Sequence, residues 1–322
     1  MTPTSITVSN LADLLGVLGA LFGFHVEDSL VAITVSPEHN EIGFRLRVDL
    51  PAVSDARLCA QVVVNHLVQN DTTHVVLAVV GRNQAIVQPL LSALHAECRD
   101  HEIDVITSGW GDGERCWSFD ISAHQLTEPI AYNARTSDLM LQAIIAGVRV
   151  HDSRADYANQ VAPPTGRARA LAEERQRNAE RLIGSNLEDD EQAIGQARHL
   201  RRLGSAISGE LISELCVWLT NTRARDALWL GMDRDSADVD LAFWSKVAKN
   251  VVPPHETNPI MLLSFSAWMR GDGALARIAI ERALRSDPEH RASQLLARAL
   301  DCGLAPELWD QIKNQGFLSP TG

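Results

Sequence analysis

The densest group of chemically able side chains lies in Gly23-Phe24-His25-Val26-Glu27-Asp28-Ser29. A histidine two or three residues from carboxylates can form an acid–base pair, because imidazole exchanges a proton near neutral pH and a carboxylate can orient it. His25 with Glu27 or Asp28 is such a pair, and Arg115 is grouped with them as a candidate pocket residue. The competing reading is a tight turn. In it Asp28 and Ser29 satisfy free backbone groups, and His25 packs on or caps the preceding helix. On sequence alone the turn carries the greater weight.

Other stretches offer less. His101-Glu102-x-Asp104 matches no common metal-ligand spacing and reads as a solvated loop, so no metal is expected. Gly109-Trp110-Gly111-Asp112-Gly113 lacks the Lys-Ser/Thr of a P-loop and the G-x-G-x-x-G that opens a dinucleotide-binding helix. It is read as a hairpin turn. Ser29 and Ser118 are outside any G-x-S-x-G, so no catalytic residue is nominated and no cofactor is expected. Arg198, Arg201 and Arg202, with His199 among them, could contact phosphate or nucleic acid. Neutralisation by the nearby run Glu188-Asp189-Asp190-Glu191 is the favoured alternative.

The elements that must position these residues follow from periodicity. Leu11, Leu14, Leu15, Leu18 and Leu21 form one helical face, capped by Asn10 or Ser9 and ended by Gly23. Residues 30–35 and 42–50 read as strands joined by a turn at 36–41. In the second, Phe44, Leu46 and Val48 alternate with Arg45, Arg47 and Asp49, so one face is buried and one charged. A helix from Ser54 to about Gln69, a continuous apolar strand at 73–80, and a helix around 89–99 follow. Strands at 103–107 and 115–121, separated by the glycine-rich turn 108–114, complete the pattern. This predicts an α/β N-terminal domain, a mixed sheet with flanking helices, over residues 1–150.

A polar stretch ending in Pro163-Pro164 marks the boundary. Residues 151–322 then read as an all-α domain, closing in a frayed tail, GFLSPTG. Within it, 258–290 resembles a tetratricopeptide hairpin: Leu263, Ala267, Gly271, Ala276, Ile280, Ala283 and Pro288 fall at that repeat's key positions. One copy is clear, whereas a stacked array needs about three. A peptide-binding hairpin would use Trp268, Arg270, Arg277 and Arg285 as candidate partner-binding residues. Trp218, Trp229, Trp244, Trp268 and Trp309 are otherwise expected to be helix-packing core.

With 322 residues there is room for two domains, and 45% hydrophobic residues is ordinary for a globular chain. A net charge of −12 argues against a general nucleic-acid or anionic-membrane binder. Five scattered cysteines, none in C-x-x-C, form neither a disulfide framework nor a zinc site. Neither a signal peptide nor a membrane span is recognised, and a cytoplasmic location is expected.

LLGVLGALFGFHVEDSLVAITV, RVDLP, RCWSF, RDALW and FSAWMRGDGALARIAIERALRSDPEHRASQLL together resemble an actinobacterial family known as domain of unknown function 4192. The resemblance spans nearly the whole chain, with Val26 standing where proline is expected. It implies a cytoplasmic actinobacterial or phage protein with an α/β sheet followed by a helical domain, and it carries no activity or catalytic residue. The leading expectation is therefore a non-enzymatic interaction or regulatory protein that binds a protein or peptide through its helical half. The rival is a small-molecule sensor or enzyme with a pocket near His25. The third is a nucleic-acid contact through Arg198–Arg202. Oligomeric state is left open.

Overall fold

A computed structural model describes residues 8–36 and 41–314. The expected turn at Pro37–Asn40 and the tail from Gly316 lie outside them. The chain divides into two compact units, Met1–Tyr157 and Ala158–Gly322.

The first unit is built on a mixed sheet. Helix α1 (Leu11–Phe22) precedes strands β1 (Ser29–Ser36) and β2 (Glu41–Asp49). Helix α2 (Ala56–Gln69), strand β3 (His74–Val80), helix α3 (Gln84–Asp100) and strand β4 (Asp104–Gly111) follow. Strand β5 (Arg115–Asp120) and two-residue strands β6 (Gln125–Leu126) and β7 (Ile130–Ala131) complete the sheet, and helices α4 (Asp138–Ile145) and α5 (Arg154–Ala158) come after it. The strand order is β2-β1-β3-β4-β5-β6, with β7 beside β5. β1 is antiparallel to β2 and to β3, β3 is parallel to β4, and β4 is antiparallel to β5.

The parallel β3–α3–β4 crossover puts α3 on one face, beside α2. Leu30, Ala32, Val75, Leu77, Val79, Trp110 and Phe119 point that way, with Phe44, Leu46 and Val48 from β2. The alternate residues Val31, Ile33, Ala78 and Val80 meet Leu11, Leu14, Leu15 and Leu18 of α1 on the other face. Period-2 alternation is thus used on both sides, which is why β3 reads as a continuous apolar run. Residues 151–157 stay with this unit. His151 forms a bridge with Phe24, and the Tyr157 ring lies 5.5 Å from that of Phe24.

Strand β4 differs from the sequence reading in where it ends. β4 runs on to Gly111, so Gly109 and Gly111 are strand residues and the turn occupies 112–114. The glycines are there for close approach: a Cβ on Gly109 would lie 2.2 Å from the Trp117 carbonyl oxygen and 2.4 Å from Leu11 Cδ2. Glycine signals a turn and a crowded strand alike, and here the crowding of α1 onto the sheet decides.

Beyond residue 158 the regular elements among the described residues are helical. They are α6 (Gly166–Ile183), α7 (Asp190–Arg202), α8 (Gly209–Trp218), α9 (Thr222–Trp229) and α10 (Ala237–Ala248). The hairpin of α11 (Thr257–Met269) and α12 (Gly273–Ser286) follows, then α13 (Arg291–Asp301) and α14 (Glu307–Asn314). In α11 every residue but Asn258 is buried, so this helix is the centre of its unit. Arg282 of α12 is buried with all five N–H groups engaged. Nε (3.1 Å) and Nη2 (2.5 Å) donate to Glu256, Nη1 to the carbonyls of Val161 (2.7 Å) and Ala248 (2.9 Å), and Nη2 also to that of Val251 (3.3 Å). Burial lowers the guanidinium pKa and Glu256 opposes that shift. Removing one partner of such a pair strands a charge. Arg282→Ala is therefore expected to lower the unfolding free energy by about 3–5 kcal/mol, whereas exposed Arg285→Ala costs less than about 0.5 kcal/mol; urea unfolding of the two variants checks this.

Candidate functional site

Parallel strands end at the same edge of a sheet, and the loops leaving their carboxyl ends form a crevice where α/β folds bind ligands. β3 and β4 do this here. At that edge Gly81 N donates to Gly111 O (3.0 Å), and the Trp110 indole nitrogen donates to Gly81 O (2.6 Å). Because β1 runs antiparallel to β3, its first residue, Ser29, pairs with Val80 at the same edge. Glu27 and Asp28 are thereby delivered to it. The hairpin 112–114 and the segment after β7 form the far wall. The result is a cleft of about 860 Å³, lined by His25, Asp28, Gly81, Arg82, Trp110 and Tyr132 among others.

His25 enters the cleft through backbone pairing. His25 N donates to His151 O (3.0 Å), and His151 N donates to Gly23 O (2.8 Å). Gly23 is left-handed, φ 80°, and closes α1. The His25 ring lies over Gly19 of α1, with Nδ1 3.3 Å from where a Cβ would stand there. Packing on the helix and lining the cleft are therefore both true of it. Burial lowers its pKa and nearby Arg135 adds to the effect, while Asp152 and Glu27 oppose it. At neutral pH the ring is a neutral imidazole.

Asp28 takes φ 40°, its carbonyl accepts from Leu50 N (2.9 Å), and its side chain rests on Gly81. A Cβ on Gly81 would sit 2.7 Å from Asp28 Oδ1, and φ of 146° at Gly81 independently disfavours a side chain. Ser29 is not a nucleophile: it is buried, donates to Glu27 O (2.5 Å) and accepts from Arg47 Nε (2.8 Å). Glu27 lies 3.9 Å from Arg135, which also reaches Asp152 at 3.3 Å. Asp112 holds its own turn by accepting from the backbone of Glu114 (2.9 Å) and Arg115 (2.7 Å). Tyr132 accepts from Gly113 N (3.1 Å), and burial pushes its phenol up to about 12, so its O–H remains a donor. Arg82 is exposed on the loop from β3 to α3 and makes no ion pair among the described residues.

Three of the four sequence-predicted pocket residues, His25, Glu27 and Asp28, share this cleft. Arg115 is not among the lining residues; it lies 3.9 Å from Asp112 and over the Trp117 ring at 5.6 Å. Sequence reading missed Gly81, Arg82, Trp110, Tyr132 and Arg135. The available signal was Val80-Gly81-Arg82, a glycine and a charge closing a continuous apolar strand.

The candidate partner-binding residues differ in exposure and pairing. Trp268 is buried and donates to Leu304 O (2.9 Å). Arg270 pairs with Asp238 at 2.7 Å, and Arg277 pairs with Asp301 and with Glu281 at 3.5 Å. Arg285 is exposed. His101 and Glu102 sit in an exposed turn. His95 meets Ser108 Oγ at 2.7 Å, a nucleophile–base distance, but Ser108 is buried and neither residue lines the cleft. Among the described residues no ion pair joins Arg198, Arg201 or Arg202 to the acidic run, and Arg201 pairs with Asp240. That run begins α7 and the arginines end it, roughly 16 Å apart at 1.5 Å per residue. Asp190 pairs with Arg223 at 3.0 Å instead.

A mixed sheet carrying a cleft at its parallel strand ends, followed by a helix-only unit, defines the class. The chain belongs to the family described as Domain of unknown function (DUF4192), whose model matches residues 12–307. Neither the curated proteins nor the solved structures contain a match.

The folded-state pKa of His25 lies below its ordinary 6.5. Its contribution to stability is therefore full above about pH 6.5 and is lost as pH falls through the lowered value. An NMR titration of the imidazole is expected to show that lowered value. It should rise toward 6.5 in Arg135→Ala and fall further in Asp152→Asn.

Proposed function

We propose that this chain is a small-ligand-binding protein of the cytoplasm, and that the cleft at the carboxyl ends of β3 and β4 is its working site. One observation carries the reading. A neutral imidazole (His25), a phenol donor (Tyr132), a guanidinium with no ion pair among the described residues (Arg82) and the carboxylates of Asp28 and Glu114 line one cleft with an aromatic wall, Trp110. A few convergent polar groups on a largely preformed concavity is what small-molecule sites share.

The chemistry selects a small polar molecule with two ends. Asp28 and Glu114 make no ion pair among the described residues and suit an amino or other cationic group. Arg82 suits a carboxylate or similar anion. The imidazole and phenol between them can accept and donate hydrogen bonds, and a neutral imidazole can also take a proton from a bound substrate. A cytoplasmic setting is supported by five thiols without C-x-x-C spacing and a charge of −12. No helix among the described residues is long and apolar enough to cross a membrane. A peptide groove on the helical half draws less support, because Trp268 is packed inside and α11 is enclosed.

A thermal-shift screen of the full chain against amines, amino acids, nucleosides and sugar acids tests the reading. Zwitterionic compounds are expected to raise the melting temperature. Arg82→Ala and Asp28→Asn should each weaken binding by about tenfold or more, since one charge-assisted hydrogen bond contributes about 1.5–3 kcal/mol. Stabilisation that survives both substitutions, or none from any class, would overturn it.

A further inference from the structure

The helical unit holds a second concavity, independent of the first, of about 400 Å³. Its polar wall is the last turn of α7. Arg198, Arg201 and Arg202 are spaced i, i+3 and i+4, so one helical face presents all three. Arg201 is fixed in place: its Nε donates to Asp240 Oδ1 at 3.2 Å, Nη2 donates to the same oxygen, and its guanidinium lies 4.4 Å from the Phe243 ring centre. Asp240 is buried, and its second oxygen accepts from Ser236 Oγ (2.7 Å). Arg198 and Arg202 are exposed and have no carboxylate within 4.0 Å among the described residues.

Basic side chains at a helix carboxyl end are favoured by the helix dipole, and that alone would account for the arginines. It does not account for the recess that the three line together with apolar residues. Trp244 lines the same cavity and is 1% exposed. The donors of the cavity are three guanidinium groups, and its one carboxylate is already satisfied. Ala227, Leu228 and Met232 supply an apolar wall.

We propose that this cavity binds a terminal phosphoryl group carried on a small molecule with an apolar or planar body. A phosphate monoester offers several acceptor oxygens and about two negative charges, which match two free arginines and one positioned arginine. The donors lie within a recess. A nucleic-acid backbone would instead ask for a basic stripe, and the chain's net charge of −12 opposes it.

The test uses the full chain with ¹⁵N-labelled tryptophan indoles, titrated with phenyl phosphate and, separately, with inorganic phosphate. The Trp244 resonance is identified by its loss in Trp244→Phe, which keeps a ring in place. Phenyl phosphate is expected to shift that resonance saturably and more tightly than inorganic phosphate. Arg198→Gln with Arg202→Gln should weaken binding by about tenfold or more, with an unchanged unfolding midpoint because both side chains are exposed. A Trp244 resonance that does not move, or that moves equally in the arginine variant, overturns the proposal. So does tighter binding of a single-stranded oligonucleotide than of phenyl phosphate through the same arginines.

Discussion

The parallel pairing of β3 with β4 is the constraint on which the site depends. Register His74↔Asp104 through Val80↔Gly111 makes both strands stop together. The chain must then leave the sheet twice at one edge, once into α3 and once into the hairpin before β5. Antiparallel β1, seated on β3, can only start where β3 stops, which brings the polar segment after α1 to the same place. The cleft is thus a consequence of strand direction, and its fine shape comes from Gly81, where the backbone of β3 and the Asp28 side chain are too close for any other residue.

The helical unit shows the other use of charge. Arg282 and Glu256 are buried together, and every donor of the guanidinium is matched, so that arginine ties α12 to the segments at Val161, Ala248 and Val251. Arg198 and Arg202 belong to the same residue type and the same unit, but line a surface recess and make no ion pair among the described residues. Structural arginines here spend their hydrogen bonds inside the fold, and the α7 arginines, apart from Arg201, do not.

Much of the fold was legible because period and burial coincide. The alternation of β2, the apolar run of β3 and the leucine face of α1 each report how many sides are covered. The extension of β4 through Gly109 was not legible, since glycine carries no periodicity and its reason, α1 pressing on the sheet, is tertiary. For the cleft, His25, Glu27 and Asp28 were visible as a local cluster of polar residues. Tyr132 and Arg135 lie more than a hundred residues further on, and only sheet closure through β7 brings them near. The burial of Trp268 was likewise hidden: a tryptophan on a hairpin looks the same in sequence whether it stands free or, as here, packs beside Phe265.

The most direct measurement is a crystal structure of the full chain grown with a compound that stabilises it. Ligand density between His25, Arg82 and Tyr132, with the imidazole within hydrogen-bond distance of it, is the predicted result. A ligand seated elsewhere, with the cleft holding only solvent, would contradict the assignment of the β3–β4 edge as the working site.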